Sequence, residues 1–375
     1  MTSICIDCRY VGRQPSGIGE MVQGIIRHIP QLAPELSFLL LRNPQNNECL
    51  NQSPNVSEME VAAAANSPAT MWRLPELVDL KRIQLFHAPA NILPARLSVP
   101  TLTTIHDIMW LTHPHWCKRG PLGHIERAFY GHGIRRAIAH STRIAALSGA
   151  TKEAILRHTP QAAERVCVIH SGVSPRFRPT LSDPARLEAL GLRPGQPFVL
   201  TVGQHAPYKN HEGALRAFAH AFASQEDIAL VFVQRQGRGA QELRNLARKL
   251  GVEGRVQILD AIAPDDLVQL YSSAKALLHP SLAEGFGNPI VEAMACGCPV
   301  VTSNQSAMPE VASGAAKLVD PQDKNSIAAA LCEVVNDPNV RQGLREAGLS
   351  RARTLDWKSA AQKYVTLYRE IVAEA

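Results

Sequence analysis

Two doubly wound α/β domains, each built on a parallel sheet, are what this sequence predicts, and three observations lead there. Short apolar runs alternate with amphipathic stretches along most of the chain, the pattern of parallel strands joined by helical crossovers. A polar, proline-rich stretch at residues 174–197, SPRFRPTLSDPARLEALGLRPGQP, interrupts that alternation near the middle and reads as a linker. The length of 375 residues also exceeds what one core usually serves, at roughly 150 residues per domain.

In the first half, SICID, LSFLLL, IQLFHAP, PTLTTIHD and RIAALS read as buried strands, and ERVCVIHSGV closes the block. Between the first two, GIGEMVQGIIRHIPQL places Ile18, Met21, Val22, Ile25, Ile26 and Ile29 on one helical stripe. After the linker, PFVLTVG is a strand, 210–223 a helix, IALVFVQ a strand and 240–250 a helix. RVQILD, AKALLHPS, CPVVTS and AAKLVD follow as strands with helices between them, and the last 50 residues read as helical throughout. Ligands of doubly wound sheets gather beyond the carboxyl ends of the strands, so residues placed just after strands are the candidates for chemistry.

Composition removes several classes. The chain is 45% hydrophobic and 19% charged, ordinary for a globular protein. It has no run of about 18 apolar residues that would cross a membrane. Met1 to Asp7 lacks the basic-then-apolar order of a secretory signal, so a cytoplasmic location is expected. Cys5 and Cys8 form a CxxC, and Cys296 and Cys298 a CxC, but neither pair has a second half for a zinc site. Cys5 sits inside an apparent strand, which suits a packed thiol. Residues 1–180 carry 19 Lys and Arg against 12 Asp and Glu, whereas residues 181–375 carry 20 against 21. Lys118, Arg119, Arg127, Arg135, Arg136 and Arg143 concentrate part of that excess. Such a face suits an anionic membrane surface or phosphorylated substrates, or is simply solvated. No nucleic-acid-binding signature accompanies it, so no nucleic-acid partner is expected.

The stretch HPSLAEGFGNPIVEAMACGCPVV, from His279 to Val301, carries the most information. A strand ends, a glycine-rich loop follows, and a helix is expected to start with Asn288 as cap and Pro289 at its first position. A helix start offers unpaired N–H groups to an anion. The expected donors are Gly287, Asn288, Ile290 and Val291. Glu284 precedes the helix and Glu292 is expected in its first turn, so both carboxylates can serve one ligand. Carboxylates accept from sugar hydroxyls, and hydroxyls flanking a phosphate describe a nucleotide-sugar.

Five segments in order resemble family 4 of the retaining glycosyltransferases. EGFGNPIVEAMACGCPVVTSNQSAMPEVASGAAKLVDP resembles that family's paired-glutamate block, and VGQHAPYKNHEGALRAF (202–218) its strand, loop and helix with a phosphate-binding lysine. IDCRYVGRQPSGIGEMVQGII, TTIHDIMWLTHPHW and VIHSGVSPRFRP resemble its first strand and glycine loop, its His-Asp segment and its linker region. The resemblance implies the GT-B fold, two Rossmann-like domains facing a cleft. On that reading residues 1–180 form the acceptor-side domain, with the helix at about 356–375 packed back on it. Residues 190–355 form the nucleotide-sugar-binding domain.

It also implies roles. Glu284, Lys209 and His106 would carry the chemistry, with Glu284 on the hydroxyls of the donor sugar, Lys209 on the β-phosphate and His106 at the end of its strand on the sugar. Gly17, Gly19, Gln204, Gly285, Phe286, Gly287, Asn288 and Glu292 would help bind the donor, Glu292 through the ribose. Gly17 and Gly19 form a bare GxG that lets backbone approach a diphosphate or the acceptor. Asp107 is expected to hold His106 or its loop. Many relatives carry an arginine where this chain has Gln204, so either another basic residue, Arg235 or Arg238, stands in for it or the diphosphate is held more weakly. There is no Asp-x-Asp pair, so neither a metal ion nor another cofactor is expected, and Lys209 with a helix N-terminus would stabilise the leaving diphosphate. The pattern looks most like bacterial mannosyl- or rhamnosyltransferases of surface-polysaccharide synthesis. That favours GDP-mannose as donor, with a UDP-sugar second, and a glycan or lipid-diphosphate-linked acceptor at the inner membrane face. The rivals are a nucleotide-sugar epimerase, which would act on donor alone, and a non-catalytic nucleotide-sugar-binding protein, which would not need both Glu284 and Lys209.

Overall fold

The computed structural model describes residues 2–12, 16–46, 48–117, 121–260 and 262–374. They form two compact units, Met1–Gly172 with Leu355–Ala375, and Val173–Thr354.

The first unit holds strands β1 (Thr2–Asp7), β2 (Leu36–Arg42), β3 (Val56–Glu60), β4 (Leu85–Ala88), β5 (Thr101–Ile105), β6 (Arg143–Ala146) and β7 (Val166–Val168). Their order is β3-β2-β1-β4-β5-β6-β7, every pair parallel. The second holds β8 (Phe198–Val202), β9 (Ala229–Val233), β10 (Val256–Leu259), β11 (Ala276–His279), β12 (Val300–Ser303) and β13 (Lys317–Val319). Their order is β10-β9-β8-β11-β12-β13, again all parallel. Strand order reverses between β1 and β4, and between β8 and β11. Those are the switch points at which doubly wound sheets open a crevice.

Each apolar run read as a strand is one. β3, VSEME, was not expected: it lies at the sheet edge with two of its five residues exposed and none buried, so it lacks an apolar run. The stretch 174–197 is not a bare linker either. Asp183 caps a short helix, Pro184–Ala189, by accepting from the Arg186 N–H. The stretch is tied down by Thr180 N–H to Ser272 Oγ (3.2 Å) and Asp183 N–H to Gln269 Oε1 (3.1 Å).

In the first unit, Ile4, Ile6, Phe38 and Leu85 face the helices Gly17–Leu32 and Trp357–Ala373. Cys5, Leu41, Phe86 and Ile144 face the other layer, around Leu74, Ile134 and Ile138. Cys5 and Cys8 thus pack into cores on opposite faces, and burial pushes both thiols up. The C-terminal helix is seated by shape and by polar contacts. A Cβ on Gly24 would come within 2.2 Å of Trp357 Cδ2, so only glycine lets the indole lie there. Beneath the helix, buried His87 bonds Tyr368 Oη through Nδ1 (2.7 Å) and Thr104 Oγ1 through Nε2 (2.9 Å), and Tyr364 Oη joins Thr104 Oγ1 at 3.1 Å. In the second unit one core cluster joins Val199, Leu230, Phe232 and Leu278 of the sheet to Leu215, Phe218, Leu243 and Leu331 of the helices. No helix among the described residues is long and apolar enough to cross a membrane.

Burial holds His87 and His211 neutral, each pushed down from 6.5 to about 3. The unfolded chain protonates both near pH 6.5 while the native state resists. Their contribution is therefore fully present above pH 6.5 and falls as the pH drops towards 3, at about 1.4 kcal/mol per pH unit for each group. Denaturant midpoints measured from pH 7.5 to 4.5 should fall, and His87→Phe should make the fall shallower by about one group's share.

Candidate active site

The two loops at the second unit's switch point are laced together. β8 is followed by Gly203, whose φ of 140° favours glycine, and the chain runs through Gln204 into a single turn, Pro207–Lys209. Asn210, left-handed at φ 53°, then opens the helix His211–Ala221. β11 ends at His279, and the following loop reaches back: the Leu282 N–H donates to Tyr208 O (2.7 Å). Asn210 Nδ2 donates to Pro280 O (3.1 Å) and to Pro321 O (2.7 Å).

This lacing places Lys209 Nζ 2.6 Å from Glu284 Oε1, with side chains only 14% and 9% exposed. The same oxygen accepts from Ser281 Oγ (2.8 Å) and lies 3.1 Å from His279 Nε2. Burial alone would push the Glu284 carboxyl up. The charge of Lys209 and the hydrogen bonds from His279 and Lys209 outweigh it and hold the group down to about 2. Burial pushes His279 down, against the pull of Glu284, so the imidazole is neutral and Nε2 carries the proton given to the carboxylate. Ser306, left-handed at φ 56°, clamps the Glu284 backbone by donating to its carbonyl (2.8 Å) and accepting from its N–H (3.3 Å).

Gly285, Phe286 and Gly287 are buried behind this pair. The helix Asn288–Ala295 is capped by Gly287 at φ 98°, one residue earlier than the sequence predicts. The Ile290 N–H bonds Gly287 O (2.9 Å), which removes one expected donor from a ligand's reach. Glu292 is the fifth residue of this helix and so lies past the first turn, not within it. Buried Tyr271 fixes it by donating from Oη to Glu292 Oε2 (2.9 Å).

In the first unit the carboxyl end of β1 is fixed by a different set. Arg9 is buried and bidentate on Asp7, Nε to Oδ1 and Nη2 to Oδ2 at 2.7 Å each, while Nη1 bonds Ala63 O (2.7 Å) and Thr70 Oγ1 (2.9 Å). Gly17 and Gly19 lie in the first turn of the helix Gly17–Leu32. The Gly19 amide is committed to its cap, Ser16 Oγ (3.0 Å), and a Cβ there would sit 2.7 Å from Tyr10 O. His106 follows β5 and is anchored to the β4 loop. Its N–H donates to Asn91 Oδ1 (2.7 Å) and its Nε2 to Pro89 O (2.9 Å). Burial pushes it down to about 4, so it is neutral with Nδ1 as an acceptor. Asp107 caps its own loop through the Met109 N–H (2.9 Å).

Gln204 is exposed, and its Oε1 accepts from the Arg235 N–H (3.3 Å). Arg238 pairs with Glu242 (2.9 Å) on a side chain 93% exposed. Of the basic cluster, Arg143 is paired with Glu374 (2.6 Å), and Lys118 and Arg119 lie outside the described residues. Cys296 and Cys298 are buried, with the Cys296 thiol pushed up to about 12. Sequence reasoning missed His279, Ser281, Tyr271, Ser306 and the Asp7–Arg9 pair, each of which acts through a contact that spacing does not display.

Comparison with known proteins supplies the class. Residues 183–351 match the family described as glycosyl transferases group 1, and residues 17–177 match Glycosyltransferase Family 4. The chain is a glycosyltransferase with a family 4 domain followed by a group 1 domain. This enzyme is 28% identical over 377 residues to the O-antigen chain mannosyltransferase B of Escherichia coli, covering 94% of this chain and 96% of that one. It is 30% identical over 246 residues to the D-inositol 3-phosphate glycosyltransferase of Rhodococcus opacus (strain B4), across 63% and 55% of the two chains. Two solved structures share its fold from end to end. A sucrose-phosphate synthase from Thermosynechococcus elongatus has a TM-score of 0.76 at 21% identity, covering 100% of both chains. HepE of Anabaena in complex with UDP-glucose has a TM-score of 0.72 at 20% identity, covering 99% and 100%. The protein therefore has the GT-B fold, and the family matches support a glycosyltransferase rather than an epimerase or a non-catalytic binding protein.

Proposed function

We propose that this glycosyltransferase moves mannose from GDP-mannose to a hydroxyl of a glycan or lipid-linked oligosaccharide, with retention of anomeric configuration. The observation that carries the reading is the Lys209–Glu284 pair, 2.6 Å apart at the switch point of the second sheet. A lysine there meets the charge that grows on a departing diphosphate. Glu284 brings an ionised carboxylate whose three hydrogen bonds all fall on Oε1, so Oε2 accepts from the hydroxyls of the sugar. Glu292, held by Tyr271, takes the ribose, and the N–H groups of Gly287 and Asn288 meet the sugar. Gly285 and Phe286 shape the loop between the two glutamates. In the first unit, Gly17 and Gly19 open the turn that meets substrate, and Nδ1 of His106 accepts from a substrate hydroxyl. Arg235 suits the place of the missing arginine better than Arg238, because its backbone adjoins Gln204 and Arg238 is engaged by Glu242. No carboxylate is marked as a nucleophile, so attack on the same face as the leaving group fits, with catalysis by positioning and charge stabilisation and no metal ion.

Mannose is favoured by the O-antigen mannosyltransferase similar over 94% of this chain. The serotype-specific mannosyltransferase WbdA of Escherichia coli points the same way, being 26% identical across 73% of this chain and 33% of its own length. Contact with an anionic membrane is supported by a face of the first unit. There Trp72 (44% exposed) packs edge-on against Phe129; Ile125 and Leu77 of the same unit are also exposed, and Arg73 and Arg96 both pair with Glu76. Aromatic, aliphatic and basic side chains together suit a headgroup layer.

A panel of GDP-, UDP- and dTDP-sugars, read by thermal stabilisation and then by transfer in the presence of chelator, tests the donor. GDP-mannose should stabilise most and turn over without added metal; stabilisation by UDP-sugars alone overturns the choice of base. Lys209→Ala and Glu284→Ala should each cost about 2–4 kcal/mol in kcat/KM, and near-normal kinetics in either removes that residue from the mechanism. Vesicles containing anionic lipid should retain the protein at low salt and release it at high salt, with Trp72→Ala retained less; failure to bind at low salt rejects the membrane contact.

A further inference from the structure

His279 is the last residue of β11, 2% exposed, with its carbonyl held by Thr302 Oγ1 (2.9 Å). A buried histidine usually just satisfies itself within a core. This one spends Nε2 on the site's carboxylate, 3.1 Å from Glu284 Oε1, and the same nitrogen lies 3.2 Å from Ser281 Oγ. Ser281 is itself fully buried and donates to that oxygen at 2.8 Å. The three residues thus close a triangle within six positions of the chain, and it is pinned on the strand rather than carried by the loop. The charged groups that face His279 are Glu284 and Lys209, with neutral His211 behind them.

The third donor to Oε1 differs in kind. Lys209 is a flexible cation, and under the proposed function its partner during turnover is a diphosphate. A carboxylate oriented by that lysine alone would lose its orientation whenever the ammonium engaged phosphate. Two neutral donors fixed on β11 and its first loop residues remove that dependence, because they keep Oε1 occupied wherever the ammonium goes.

We propose that His279 and Ser281 are positioning residues for the transfer reaction, which hold Glu284 by Oε1 and keep Oε2 set for a sugar hydroxyl independently of Lys209. This rests on the assignment of Glu284 to the sugar, and it predicts an effect confined to ligands that carry one. His279→Leu removes the donor at similar volume, Ser281→Ala removes the hydroxyl, and His279→Gln keeps an N–H near the position of Nε2. Titrations of the full-length protein with GDP and with GDP-mannose should show GDP affinity unchanged in all three variants. GDP-mannose affinity and kcat should fall about 10- to 100-fold in His279→Leu, less in Ser281→Ala, and return most of the way in His279→Gln. Equal losses for GDP and GDP-mannose, or no loss in His279→Leu, overturn the proposal.

A second measurement needs no substrate. The imidazole nitrogen shifts of His279, assigned by their loss in His279→Gln, should report a neutral ring with its proton on Nε2 at pH 7 and above. A proton on Nδ1, or a charged ring at pH 7, also overturns it. If the wild-type protein bound neither GDP nor GDP-mannose, the donor assignment would fail, while the tautomer would still decide this proposal.

Discussion

An ionised carboxyl group that is 9% exposed must find its hydrogen bonds inside the protein, and Glu284 finds three on one oxygen. Removing such a charge from water costs several kcal/mol, and donors offset that only when they are held in place. Loops hold donors poorly unless their own backbone is satisfied. The left-handed turns at Asn210 and Ser306, the Leu282–Tyr208 backbone bond and the double anchorage of Asn210 Nδ2 all meet that demand. The geometry of the β8 and β11 loops is what burying this charge requires.

The first unit buries a carboxylate too, with the opposite outcome. Arg9 covers both oxygens of Asp7 in a bidentate pair, and Nη1 is satisfied by Ala63 O and Thr70 Oγ1. Such a closed pair fixes the end of β1 and ties it to the chain around residues 63–70, as planar two-point recognition does well. Glu284 receives its donors on one side only. One buried ion pair is complete in itself, and the other keeps acceptor capacity.

Strands and helices were legible because burial writes itself into periodicity. Parallel strands covered on both faces appear as unbroken apolar runs, as in ALVFV of β9 or the ALL that opens β11. β3 escaped because an edge strand with Glu58 and Glu60 facing Arg42 and solvent has no such run. The helix Pro184–Ala189 escaped because proline content masked its Asp-Pro cap, and its stability comes from contacts with Ser272 and Gln269 about 90 residues away. At the site, Lys209 and Glu284 were legible from their places after strands. That they meet was not, since 75 residues separate them. His279 looked like the end of an apolar run, and nothing in spacing shows that the loop returns Glu284 to its ring. The cap of the helix Asn288–Ala295 fell at Gly287 because the left-handed turn there, open to glycine, comes before Asn288.

The neutral residue at position 204 changes how the site distributes charge. Lys209 is the one lysine or arginine in the two loops, residues 203–210 and 279–292. One backbone donor of the helix start, the Ile290 N–H, is already bonded to Gly287. In the family pattern an arginine after the β8 glycine would share the work of meeting a diphosphate. Here Gln204 contributes dipoles only, and its oxygen is engaged by the Arg235 N–H. A unit charge about 4 Å away contributes on the order of 4 kcal/mol at an effective dielectric of 20, well beyond what an amide supplies. Under the proposed function that load falls on Lys209, shared with whatever Arg235 supplies from beside Gln204. Were Lys209 to turn towards a diphosphate under the proposed function, Ser281 and His279 would still occupy Oε1 of Glu284, so the orientation of the carboxylate need not rest on the cation.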